Sequence, residues 1–97
     1  MIFETKKPGK KIKEFCAKLG EPYSIRVIDL ENVIYRDLGN GYDFEISGLD
    51  NQKKSFQATL FIWQTKPDLH MIEQVSNISS FENLVTELDK ALEKYLD

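Results

Sequence analysis

The stretch Gly39-Asn40-Gly41-Tyr42-Asp43-Phe44-Glu45-Ile46-Ser47 decides how this chain folds. From residue 42 onward, apolar side chains alternate with acids at a period of two. That is the pattern of a strand with one face buried and the other wet. The two glycines ahead of it supply the positive φ angles of a tight hairpin, so residues 39–41 are predicted to turn the chain back on itself.

Working towards the N-terminus, the pattern predicts strands over 33–38 and 23–28, with a turn at 29–32 between them. Towards the C-terminus, a polar turn at 48–54 leads into the longest strand, 55–65. Lys66-Pro67-Asp68 breaks that strand, and a fifth follows over 70–75. The ends of the chain switch to a helical period. Ile12, Phe15, Cys16 and Leu19 are spaced i, i+3, i+4 and i+7, with Pro8 in the first turn and Gly20 as the stop. At the other end Ser79 and Glu82 have the spacing of a capping box. Phe81, Leu84, Val85, Leu88, Leu92 and Tyr95 then form one apolar stripe on a helix that runs to the C-terminus.

The expected order is α-β-β-β-β-β-α. Every strand connection is short enough for a hairpin, which implies an α+β fold. Its five-stranded antiparallel meander sheet has the N- and C-terminal helices packed on one face, a two-layer sandwich in a single domain over residues 1–97.

Composition narrows the function classes. With 41% hydrophobic and 30% charged residues among 97, the chain has the balance of a folded globular domain. Its apolar runs fall far short of the ~20 residues that a spanning helix needs. The first eight residues hold lysines where a secretory signal would be apolar, and one cysteine forms no internal disulfide. The expected location is therefore cytoplasmic. One His and one Cys, on different elements, imply no metal site and no cofactor. Cys16 lies on the helical stripe and reads as a small core hydrophobe, and His70 as an edge residue, so an enzyme is only a third reading.

Two surfaces remain. Phe61 and Trp63 point away from the helix-covered core, onto the face that carries Asp43 and Glu45. If the fifth strand pairs with the fourth, Glu73 joins them. Large aromatics rimmed by charge mark a protein-binding surface, and the other reading is a minor core beneath a covering segment. A homodimer across the face satisfies both. The second surface is basic. Residues 1–20 hold six lysines against two acids, a net +4, while the remaining residues hold seven basic and fourteen acidic side chains, a net −7. Lys6, Lys7, Lys10, Lys11 and Lys13 could contact a nucleic-acid backbone or form a solvated helix face. Only two of thirteen basic residues are arginine, the better fork for reading bases.

In size, acidity and α+β layout the chain resembles the small accessory proteins of phages and plasmids, and within that group is loosely similar to anti-CRISPR inhibitors. The resemblance implies a non-catalytic protein that occupies the nucleic-acid channel of a processing enzyme with acidic surface. Asp37, Asp43, Glu45, Asp50 and Glu73 are the residues that could do so.

Overall fold

The structure is a computed structural model that describes residues 7–96. Helix α1 (Lys10–Leu19) starts after Gly9, so Pro8 lies just outside the first turn. It ends where Gly20 takes a φ of 74° and its N–H closes on the Cys16 carbonyl at 2.9 Å. Five strands follow: β1 (Ser24–Ile28), β2 (Glu31–Asp37), β3 (Tyr42–Ser47), β4 (Ala58–Gln64) and β5 (His70–Ile78). They lie in the sheet in chain order, each antiparallel to its neighbours, the expected meander. Helix α2 (Phe81–Tyr95) closes the described chain.

The turns refine the boundaries, and β4 begins only at Ala58, so that β5 with nine residues, not β4 with seven, is the longest strand. Ile28 pairs with Glu31, so β1 and β2 are joined by two residues only, Asp29 and Leu30, both with positive φ. That is the hairpin geometry whose twist matches the strands, and it begins β2 two residues earlier than its apolar pattern suggests. Gly39 and Gly41 take φ values of 78° and 95° between β2 and β3, as their spacing predicts. The α2 cap is Ser80, not Ser79: the Ser80 hydroxyl accepts the Asn83 N–H at 3.0 Å. Two adjacent serines make the choice ambiguous in sequence, and the structure sets the helix start one residue later.

The core lies between one face of the sheet and the two helices. Ile34, Phe44, Ile46, Leu60 and Ile62 line the sheet side, and Ile12, Leu84 and Leu88 descend from the helices. Phe15 ties the layer together, meeting Phe56 edge-on and Phe81 face to face. Each fully buried aliphatic or aromatic side chain contributes roughly 1.5–3 kcal/mol, so this face accounts for most of the driving force.

β5 departs from a regular hairpin in two places. Met71 pairs with Trp63 and Glu73 with Ile62, so two steps along β5 match one along β4, and Ile72 is the additional residue. Further on, Val75 pairs with Leu60 and Ile78 with Ala58, three steps against two, with Asn77 at a φ of 60°. These are bulges, and each one flips the faces of the residues beyond it.

Candidate functional site

The helix-free face is built outward from β3. Strand alternation sends Asp43 and Glu45 to this side. Pairing places Tyr35 and Phe61 beside Glu45, and Trp63 beside Asp43. The hydrogen bonds run diagonally between strands. Tyr35 Oη donates to Asp43 Oδ2 at 2.7 Å, and Trp63 Nε1 donates to Glu45 Oε1 at 3.0 Å. Arg26 of β1 stacks its guanidinium 4.2 Å from the centre of the Tyr35 ring. The Tyr35 and Trp63 rings are thereby held by their polar tips, and Tyr35 by a cation as well, which limits their rotation on the sheet.

Asp43 and Glu45 are only 7% and 8% exposed as residues. Burial raises the Asp43 pKa; the Tyr35 hydroxyl opposes the shift and the Asp37 charge adds to it. Burial also raises that of Glu45, against the Trp63 N–H and with the charges of Glu31, Asp29 and Asp43. The Tyr35 phenol is pushed up to about 12, first by burial and then by its carboxylate partner. It is therefore a fixed donor at neutral pH. Asp43 Oδ1 is buried with no hydrogen-bond partner among the described residues, a cost the fold bears. Val33, on the same face, is wholly buried, while Phe61 and Trp63 are half-buried and Met71, opposite Trp63, is 43% exposed. The face is thus a shallow aromatic and acidic surface, and no helix or strand of the described residues lies over it.

Sequence reasoning placed Phe61, Trp63, Asp43 and Glu45 together, and the structure brings these four together. Glu73 does not join them. The bulge at Ile72 turns it to the helix side, where its Oε1 accepts from Tyr95 Oη at 2.7 Å and Lys94 Nζ at 3.2 Å. The Tyr95 hydroxyl, with help from Lys94, holds its carboxyl below the ordinary value, and Glu73 serves to fasten α2 to β5. Asp50 is also diverted: its oxygens accept from the Gly9 N–H at 3.0 Å and Asn32 Nδ2 at 2.7 Å. Tyr35 and Arg26 went unnoticed in the sequence. Tyr35 could have been found, because the hairpin at 39–41 sets its register with Glu45.

The lysines divide in a similar way. Lys6 lies outside the described residues. Lys7, Lys10 and Lys13 are exposed, and the Lys10–Glu14 pair at 3.9 Å is too solvated to hold either side chain. Lys11 is committed: its ammonium donates to Asn51 Oδ1, Lys53 O and Ser55 O at 2.8, 2.9 and 2.9 Å, pinning the β3–β4 loop to α1. Cys16 is a free thiol, partly buried against the core, and its pKa is raised by that burial. His70 opens β5 and is exposed.

Among the described residues no group of three or more His, Cys, Asp and Glu side chains is placed to hold a metal ion, and no helix is long and apolar enough to cross a membrane. Comparison of the chain with protein-family models, with curated proteins and with solved structures finds no match.

Proposed function

We propose that this protein is a non-catalytic binding module whose helix-free sheet face docks onto a basic surface of a protein partner in the cytoplasm. One observation carries the reading: the aromatic rings of Tyr35 and Trp63 are tied to buried carboxylates on a face where acids outnumber bases. Among the described strand residues Glu31, Asp37, Asp43 and Glu45 stand there against Arg26, and the charge of Asp29 in the adjoining turn reaches Glu45. Rings already held in place lose little entropy on binding, and the acids favour a cationic partner and speed its approach. A second copy of the same face would set acids against acids, so a heterologous partner fits better than a homodimer. The role we favour is inhibition, like that of the anti-CRISPR proteins it resembles, by occupying the basic channel of a nucleic-acid-processing enzyme.

The test is an affinity capture from bacterial lysate with wild type, with Phe61→Ala, and with a Glu31→Lys, Asp37→Lys double variant. Circular dichroism first establishes that all three are folded. A protein with a basic surface, retained by wild type and lost with both variants, is the expected result. Identical capture by all three would refute the sheet-face assignment.

A further inference from the structure

A second surface lies away from the sheet face, between the start of α1 and the β3–β4 loop. It is an open cleft of about 960 Å³. Lys7, Lys10 and Lys11 line one wall, and Lys53 and Lys54, some forty residues later, line the other. The Lys11 ammonium and the Gly9–Asp50 bond draw the two walls together. The lining holds five lysines against Glu14 and Asp50, a net +3 in a chain whose formal charge is −3. Asp50 spends its oxygens on neutral donors in the wall, and the three acceptors of Lys11 are neutral as well, so none of these bonds cancels the cleft's charge. Among the described residues the ammonium groups of Lys7, Lys53 and Lys54 have no ion-pair partner. Gathering like charges raises the energy of the fold, and packing does not account for it, since both loop lysines are exposed.

We propose that this cleft binds the phosphate backbone of a single-stranded nucleic acid. The lining holds lysines and no arginine, which gives point charges suited to a run of phosphates rather than a fork for one base. A flexible single strand can lay successive phosphates against both walls of this open cleft. The site is not the bare lysine run of the N-terminal segment. Lys53 and Lys54 complete it, Lys13 faces a different hollow, and Lys18 lies over the Phe15 and Phe81 rings. This reading is independent of the sheet face and uses none of its residues.

Fluorescence anisotropy with a labelled oligo-dT strand, at a series of salt concentrations, tests it. Four cleft lysines with free ammonium groups or solvated partners predict a slope of log K against log salt of about −3, from roughly 0.7 per phosphate neutralised on a single strand. Lys53→Glu with Lys54→Glu should weaken binding about tenfold or more at low salt, where each lost phosphate contact weighs most. Lys66→Glu with Lys90→Glu makes the same charge change outside the cleft and should leave affinity within about twofold, since its charges lie beyond a strand held there. Phe61→Ala should bind as wild type, which separates this site from the sheet face. No binding at low salt, or equal loss in the two double variants, would overturn the proposal.

Discussion

Replacing Trp63 by phenylalanine removes one donor from a carboxylate that has little water to turn to. The indole N–H reaches Glu45 Oε1 at 3.0 Å, and Glu45 is 8% exposed. A hydrogen bond to a charged group is worth about 1.5–3 kcal/mol, and the lower half of that range applies at the rim of a single sheet layer. The smaller ring gives up about 1 kcal/mol more in packing. The expected loss at neutral pH is therefore about 2.5–3 kcal/mol. It should also depend on pH. The Glu45 pKa is raised in the folded state, so the folded protein binds that proton more tightly than the unfolded chain. The stability withheld by the ionised group at neutral pH returns as pH falls through the folded pKa towards the unfolded value. Without the indole the folded pKa rises further, and the deficit of the variant should shrink as the solution is acidified. Urea denaturation followed by far-UV circular dichroism measures this, since the variant lacks the chain's one tryptophan. A cycle with Glu45→Gln isolates the bond, with an expected coupling of about 1 kcal/mol. A deficit that is the same at every pH and on both backgrounds would show that the indole and carboxylate do not interact energetically.

Gly48 has a φ of 91°, and a Cβ there would lie 2.8 Å from the Gln57 carbonyl oxygen. Gly48→Ala should cost at least about 2 kcal/mol, against about 1 for Gly20→Ala, whose added carbon meets open space; urea midpoints compare them. Ser80→Ala should lower stability by about 1 kcal/mol and Ser79→Ala by less than about 0.5, as only the former removes a cap. For Glu73 the pH sign is opposite to that of Glu45. Its folded pKa is lowered, so its contribution is present above the unfolded value and lost as pH falls through the folded one. Glu73→Gln should flatten the acid limb of the stability profile, read from thermal midpoints across the acid range.

Element order and type were legible because each rests on local chemistry. β3 spans the residues its alternation names, and the glycines at 39 and 41 turn as glycines in a hairpin should. The α2 stripe also packs as its spacing requires, with Leu84 and Leu88 in the core. Errors arose where two neighbours offered the same chemistry, as at Ser79 and Ser80, or where the decisive event was an insertion in register. Nothing in His70-Met71-Ile72-Glu73 announces that Ile72 is the additional residue, since a bulge is settled by how β4 and the helices pack around it. That single step moved Glu73 from the proposed binding face to a strut beneath α2. The lysine cleft was hidden for another reason: its two walls are joined by tertiary bonds from Lys11 and Gly9, and no window of sequence contains both.

The same bulges govern what β5 can do as the outer strand of the sheet. A strand arriving from another chain needs an even row of donors and acceptors along the edge it joins, and each additional residue puts that row out of step. β5 is nine residues long and carries exposed apolar side chains at Met71 and Ile72, the combination most prone to recruit a sixth strand. Its two irregularities shorten the continuous edge to a few residues between them. Sheet growth from copy to copy is thereby discouraged at this edge.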